Sequence, residues 1–303
     1  MQDYSAVIKE LKENRISFKT LEPMSEHTTF KIGGPADIFI EVQNSDAAIN
    51  AIEILRKYGV EISVIGHGSN LLVSDKGISG AVVCFNSAEE IEIISGELLS
   101  VSAGVMLNKL CCFAKDNSLT GLEFAFGIPG TVGGAVYMNA GAYDGCVKDV
   151  LHSAECLMPD GSVKTFSNEE CDFSYRKSAF VNNGAVILRA VFRLTKGNKQ
   201  QIADKMSDLM NRRRTKQPLE FPSAGSTFKR PEGYFAGTLI EQSGLKGYSV
   251  GGAEVSEKHA GFVINRNNAT SNDVLCLVED IKRKVFEKFG VNLEPEIKIL
   301  GRE

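Results

Sequence analysis

The stretch Gly127-Ile128-Pro129-Gly130-Thr131-Val132-Gly133-Gly134-Ala135 places four glycines within eight residues, with one proline among them. Glycine adopts positive φ and lets backbone approach closely, while proline fixes its own φ. The run therefore specifies one loop shape rather than a floppy connection. It sits inside 126–145, rich in Gly, Ala and Asn, which reads as a shaped loop and includes Asn139-Ala140-Gly141. A second cluster, Gly66-His67-Gly68-Ser69-Asn70-Leu71-Leu72-Val73, comes earlier and follows an apolar strand. Taken singly, the first could be a packing corner and the second a tight turn. Two such clusters in one chain favour a ligand with a pyrophosphate, because successive backbone N–H groups in such loops form anion-binding concavities. The earlier cluster is not G-x-G-x-x-G, since Leu71 stands where a third glycine is needed and its continuation reads as strand. A strand in place of a following helix disfavours a dinucleotide site of the Rossmann type. No Gly-Lys-Ser/Thr occurs, so a P-loop is excluded.

Around these loops the pattern mixes helices and short strands, an α+β class. Tyr4 to Arg15 reads as an amphipathic helix with Val7, Ile8 and Leu11 on one face. Ala36 to Val42 alternates like a strand, and Ser45-Asp46 reads as the cap of a helix that runs to Tyr58 and is ended by Gly59. Ile62–Ile65, Leu71–Val73 and 81–85 are further strands, and a helix is expected near 108–117. Ala185 to Leu194 is a strand, followed by the polar 195–199, the clearest linker. Ile202, Met206, Leu209 and Met210 repeat at helical spacing, and a last helix spans Ser271 to Phe289, closed by Gly290. This organisation divides the chain into a first lobe at 1–87, a second at 88–198 and a C-terminal domain at 199–303.

The chain has 303 residues, 43% hydrophobic and 24% charged, with 29 glycines and 8 prolines, so it is globular and neither collagen-like nor low-complexity. Its formal charge of −4, without a long basic run, argues against nucleic acid or an anionic membrane as the main partner. No apolar stretch approaches the roughly 18 residues of a membrane span, and the N-terminus carries no signal-like apolar core. Seven cysteines, an odd number with Cys111 and Cys112 adjacent and no C-x-x-C, argue for free thiols in a reducing cytoplasm rather than disulfides or zinc. The four histidines show no metal spacing, so no metal is expected, although His67 and His259 lie in Gly-rich segments that could line a site.

Three further segments carry chemistry. In 173–178, Tyr175-Arg176 sits in a polar patch between strands, and an arginine suits a planar carboxylate. The segment Ser223-Ala224-Gly225-Ser226-Thr227-Phe228-Lys229-Arg230 is small, hydroxylated and basic, and lacks the G-x-S-x-G of a hydrolase elbow. Glu296, in Leu293-Glu294-Pro295-Glu296-Ile297, opens a short alternating strand near the end. Arg212-Arg213-Arg214 ends a helix, where cations suit the dipole.

Seven motifs now stand in order: His27-Thr28-Thr29-Phe30-Lys31-Ile32-Gly33-Gly34-Pro35-Ala36, 66–73, 127–135, Asn139-Ala140-Gly141, Tyr175-Arg176, 224–229 and Glu294-Pro295-Glu296. Together, from about residue 24 to the end, they resemble the UDP-N-acetylenolpyruvoylglucosamine reductase (UDP-N-acetylmuramate dehydrogenase) family, in its shorter class without an added Tyr-loop segment. The resemblance implies a two-lobed FAD-binding domain of the vanillyl-alcohol-oxidase/PCMH type, followed by an α+β substrate domain. It implies non-covalent FAD, NADPH as hydride donor, and reduction of UDP-N-acetylglucosamine enolpyruvate to UDP-N-acetylmuramate in peptidoglycan precursor synthesis, in the cytoplasm and as a monomer. A flavin oxidase or a non-catalytic nucleotide binder are the rival readings.

By match, Arg176, Ser226 and Glu296 are implied as catalytic. Gly66, His67, Gly68, Ser69, Asn70, Leu71, Gly127, Ile128, Pro129, Gly130, Thr131, Gly133, Gly134, Ala135, Asn139 and Gly141 are implied to hold the cofactor. Tyr175, Lys229, Arg230 and Arg213 are candidates for the substrate. The implied chemistry delivers hydride from flavin N5 to the enolpyruvyl β-carbon and a proton from Ser226 to the α-carbon. Arg176 would stabilise the charge that develops on the α-carbon and its carboxylate. An ionised Glu296 would repel that charge, so the reading expects burial to keep its carboxyl protonated or the carboxyl to share a proton with the substrate.

Overall fold

The helix Ser45–Lys57 begins where the side chain of Asn44 accepts a hydrogen bond from the Ala47 N–H at 2.8 Å. Asn44 is thus the cap, one residue before the expected Ser45, because its carboxamide oxygen reaches the third N–H of the helix. Gly59, at φ +64°, ends the turn after Tyr58 as expected. The helix buries Ala48, Ala51, Ile52, Ile54 and Leu55 on one face.

The computed structural model describes residues 3–85 and 90–302. The chain folds as two compact units. The first comprises the residues up to Lys19, Ile38–His67 and Gly80–Arg212; the second comprises Thr20–Asp37, Gly68–Ser79 and Arg213 onward. The boundary expected between 87 and 88 lies outside the described residues.

In the first unit, the 38–41 and 80–84 parts of strands Pro35–Glu41 and Ile78–Cys84 lie side by side with Ile62–Ile65, in that order. The last two run parallel, with Ile62 opposite Ala81. A separate antiparallel sheet has the order Val163–Ser167, Leu151–Leu157, Val186–Arg193, Leu98–Ser102, Ile91–Ser95. One core joins Val7, Leu11, Ile38, Ile52, Leu55, Leu99, Val101, Leu110, Val136, Leu188 and Phe192. Ile202 and Met206, read at helical spacing, lie on the helix Lys199–Lys216 and belong to this core. The linker read at 195–199 is partly strand: Thr195–Lys196 pairs antiparallel with Leu119–Thr120.

The loop read into 126–145 also contains a helix, Val132–Tyr137. Two glycines make it a poor helix in isolation, each about 1 kcal/mol worse than alanine. Packing overrides that preference. Val132 and Val136 are fully buried, and a Cβ on Gly133 would stand 2.9 Å from the Ala103 Cβ, so only glycine lets the helix press this close to the sheet.

The second unit has its own core of Phe30, Ile32, Leu72, Phe228, Leu239, Ile240, Val255, Val274, Leu277, Ile281 and Val285. Ser249–Val250, Ala253–Val255 and Val263–Asn265 form an antiparallel sheet. Leu71–Val73 pairs in parallel with Lys298–Leu300, placing Leu71 opposite Lys298. The helix Ser271–Phe289 matches the expected span. Thr270 Oγ1 accepts from Asp273 N at 3.1 Å, the Asp273 carboxylate accepts from Thr270 N at 3.0 Å, and Gly290 closes the helix at φ +67°. No helix among the described residues is long and apolar enough to cross a membrane.

Candidate active site

In the first unit the two glycine clusters meet. A Cβ on Gly66 would lie 2.2 Å from Thr131 Oγ1, so the first loop packs on the second only as glycine. The second loop is fixed by its own bonds: Gly127 N donates to Asn108 Oδ1 at 2.6 Å, Ile128 N to Ala125 O, Gly130 N to Ile128 O, Val132 N to Val105 O and Gly133 N to Ala103 O. These N–H groups are taken up by the loop and the segments around it, so its shape exists before any ligand arrives. The hydroxyl of Thr131 is different. It is buried with no hydrogen-bond partner among the described residues, directly beside Gly66. A buried orphan hydroxyl carries a desolvation penalty, and a polar ligand atom beside it would remove that penalty. This donor set, two rigid glycine loops around an unsatisfied threonine, fits a phosphate-bearing cofactor such as FAD.

The turn that carries Arg176 also belongs to this unit. Ser174 and Lys177 exchange both backbone hydrogen bonds, at 3.0 and 3.2 Å, leaving Tyr175 and Arg176 at the tip. Arg176 has φ +55°, its Nη2 donates to Gly141 O at 3.1 Å, and its guanidinium lies 5.1 Å from the Tyr175 ring centre. Tyr175 is 54% exposed. Asn139 is buried; its Nδ2 donates to Ser174 O and its Oδ1 accepts from Lys148 N, both at 3.0 Å. Gly141 pairs with Cys146 in a two-stranded ribbon in which a Cβ would be only 2.8 Å from the Cys146 Cβ.

The second unit holds Ser226 and Glu296 on neighbouring strand-like segments. Phe228 bridges antiparallel to Pro295, Glu296 N donates to Thr227 O at 2.8 Å, and Lys229 N donates to Glu294 O at 2.9 Å. Thr227 is anchored from its other side, its N–H on Gly261 O and its Oγ1 accepting from Val263 N. Gly225, at φ +76°, turns the chain into this segment, and Ser226 is exposed. Lys229 Nζ is 2.6 Å from Glu294 Oε2, an ion pair in solvent, and that partner holds the Glu294 carboxyl below its ordinary value. Arg230 stacks on the exposed Phe235 ring at 3.9 Å. Arg213 is buried, whereas its neighbour Arg212 pairs with Asp208 in solvent.

The unit boundary runs through the first glycine cluster: Gly66 and His67 lie in the first unit, and Gly68, Ser69, Asn70 and Leu71 in the second. There Gly68, at φ +65°, passes so close to His27 that a Cβ would meet its carbonyl oxygen at 2.1 Å. Asn70 Nδ2 donates to Glu296 O at 3.2 Å, and Asn70 O accepts from Lys298 N at 2.8 Å. Sequence reading placed Asn70 at the cofactor and missed this hold on the Glu296 segment, which joins residues 226 positions apart. It also missed Ser178, fully buried, whose Oγ donates to Tyr137 O at 2.7 Å. No local signal marks either contact. Burial lowers the pKa of His259, and its Nδ1 accepts from Gly261 N at 3.1 Å, so its ring is a packed structural element.

Residues 36–167 match the family described as FAD binding domain, and residues 217–300 match the UDP-N-acetylenolpyruvoylglucosamine reductase, C-terminal domain. The chain is 47% identical over 305 residues, covering 100% of both sequences, to UDP-N-acetylenolpyruvoylglucosamine reductase of Clostridium perfringens (strain SM101 / Type A). It is 50% identical over 293 residues to the protein of that name from Caldanaerobacter subterraneus subsp. tengcongensis, covering 97% of this chain and 96% of the relative. The crystal structure of UDP-N-acetylenolpyruvylglucosamine reductase from Thermus caldophilus is similar with a TM-score of 0.78 and 34% identity, over 94% of this chain and 99% of that one. The expected α+β class and the expected order, an FAD-binding domain followed by a C-terminal domain of this family, both hold. With relatives of matching length and an FAD-binding domain in place, the chain is an FAD-dependent oxidoreductase that belongs to the UDP-N-acetylenolpyruvoylglucosamine reductase family, in its shorter class.

Proposed function

We propose that the chain reduces UDP-N-acetylglucosamine enolpyruvate to UDP-N-acetylmuramate, a step of peptidoglycan precursor synthesis, with NADPH as the hydride donor. Full-length identity near one half to relatives of that name supports this reading. The observation that carries it is the pairing of Gly66 with Thr131, where two glycine loops close around a buried hydroxyl that lacks a partner. Bound FAD would accept hydride from NADPH and deliver it to the β-carbon of the enolpyruvyl group.

The protein's own residues would do the rest. Gly66, His67 and 127–135 would hold the cofactor, with Thr131 Oγ1 finding there the partner it lacks. Arg176 would hold the substrate carboxylate and stabilise the negative charge that spreads into it, a contribution of about 2.7–4 kcal/mol for one preorganised donor. Ser226, an exposed hydroxyl on a pinned segment, would give its proton to the α-carbon; a serine is a weak acid, so placement rather than acidity makes the transfer possible. Glu296 would share a hydrogen bond with the substrate. Tyr175, Lys229, Arg230 and Arg213 are the candidates for the sugar nucleotide. Residues 1–87 and 88–198 would serve as the two cofactor lobes and 199–303 as the substrate domain. All seven cysteines are free, which supports a reducing, cytoplasmic setting, and we take the protein to act there as a monomer.

An anaerobic absorbance titration tests the reading. The purified protein should show an oxidised flavin band that one equivalent of NADPH bleaches and the enolpyruvyl substrate restores. Recovery with oxygen but not with that substrate would overturn the proposal in favour of an oxidase.

A further inference from the structure

The tip of a two-residue turn is a weak place to hold a cation. Arg176 sits there at φ +55°, in the left-handed region that side chains other than Gly, Asn and Asp seldom adopt. Such a conformation persists only where the surroundings over-determine it. One short segment does so. From 137 to 141, just past the helix Val132–Tyr137, three groups reach the turn in sequence. Tyr137 O accepts from Ser178 Oγ at 2.7 Å, Asn139 Nδ2 donates to Ser174 O at 3.0 Å, and Gly141 O accepts from Arg176 Nη2 at 3.1 Å. The first two fix the two ends of the turn, and the third orients the guanidinium. Asn139 is itself at φ +44°, is only 6% exposed, and has its other amide atom held by Lys148 N at 3.0 Å. Ser178 is 1% exposed. Both side chains are therefore rigid parts of the interior.

We propose that Asn139 and Ser178 are positioning residues that set the angle at which Arg176 is presented. This gives Asn139 a task different from the cofactor contact expected of it, and it rests on the reading that Arg176 engages the substrate carboxylate. Neither residue touches the substrate; each acts through the Ser174–Ser178 backbone. Asn139→Asp keeps the size and the acceptor toward Lys148 but turns the donor toward Ser174 O into a second acceptor. Ser178→Ala removes only the bond to Tyr137 O.

The test uses flavin-loaded protein under anaerobic conditions and follows bleaching by NADPH and recovery on the enolpyruvyl substrate separately. Each substitution is made alone and in an Arg176→Ala background, with thermal unfolding as the measure of fold. Recovery is expected to slow on the order of a hundredfold in Asn139→Asp, since a displacement of about 1 Å is enough for that loss. Bleaching should stay within about threefold of the parent, and in the Arg176→Ala background neither substitution should slow recovery by more than about threefold further. Equal losses in both backgrounds, or a lowered unfolding temperature with recovery intact, would overturn the proposal. If Asn139→Asp does not fold, the cycle with Ser178→Ala decides on the same criterion. If Arg176→Ala by itself leaves recovery unchanged, the catalytic reading of Arg176 fails first and takes this inference with it.

Discussion

Asn70 holds Glu296 by the backbone: its Nδ2 donates to the Glu296 carbonyl at 3.2 Å, while its own carbonyl takes Lys298 N at 2.8 Å. The two contacts bracket the carboxylate-bearing residue just before the parallel pairing of Lys298–Leu300 with Leu71–Val73 begins. A side chain drawn from the first glycine cluster thus fixes a residue near the chain end. Asn70→Ala should lower stability by about 1 kcal/mol, the net worth of one such bond, and should slow flavin recovery on substrate. Urea unfolding and stopped-flow absorbance check the two effects. Unchanged recovery would mean that the strand pairing alone places Glu296.

The loss of Arg176 and the loss of Ser226 should resemble each other in one respect. Arg176→Ala and Ser226→Ala should both leave NADPH-driven bleaching intact. Recovery should slow by about a hundredfold to a thousandfold for Arg176→Ala, the range for one preorganised donor. Equal slowing of both half-reactions would move either residue from the chemistry to the fold.

Thr131 and Gly66 make opposite tests of the cofactor cradle. Thr131→Val replaces an unsatisfied buried hydroxyl with a methyl of similar shape, so the flavin-free protein should be as stable as the parent or more so. Flavin should bind about tenfold more weakly, equivalent to about 1.4 kcal/mol. Gly66→Ala places a Cβ 2.2 Å from that hydroxyl and should cost flavin binding and stability together. Fluorescence titration of FAD into the stripped protein, paired with thermal melts, separates the two patterns.

Asp75 caps a helix it does not belong to. Its carboxylate accepts from Ser271 N at 2.9 Å and from Ser271 Oγ at 2.7 Å, and its own N–H donates to Ser271 Oγ at 3.0 Å. This adds to the local Thr270–Asp273 box at the start of Ser271–Phe289. Asp75→Ala leaves buried donors without a partner and should destabilise the protein by about 1–3 kcal/mol, measured by chemical denaturation.

Burial pushes the thiols of Cys84, Cys156 and Cys171 from the ordinary value of 9.0 to about 12. Their folded forms keep a proton that the unfolded chain gives up. The stability they contribute is therefore complete below pH 9 and is lost as pH rises toward 12. Melting temperature should fall across that window, and less steeply in Cys84→Ala. A thiol reagent at pH 8 should modify the exposed Cys276 before these three; uniform labelling would contradict their burial.

Much of the fold was legible because its signals are local. The helix Ser271–Phe289 was readable end to end, since Thr270, Asp273, Gly290 and the apolar spacing of Val274, Leu277, Val278 and Ile281 all lie within it. The helix Val132–Tyr137 was not, because its glycines argue against helix and the contact with Ala103 that demands Gly133 comes from the turn after a strand, 30 residues away in sequence. The capping Asn44 was missed by one residue because Ser45 offers the same chemistry.

By itself, the sequence determined the class, the two glycine clusters, the ordered motifs and the residue types a reductive, carboxylate-handling site needs. All of these are patterns of spacing and side-chain chemistry along one strand of text. Only the tertiary structure decided that Gly66 closes on Thr131, that 137–141 clamps the Arg176 turn, that Asn70 brackets Glu296, and that 20–37 and 68–79 join the C-terminal unit. These depend on which buried donor meets which carbonyl across long sequence separations. Hydrogen-bond satisfaction in a packed interior settles those pairings, and no local propensity encodes them.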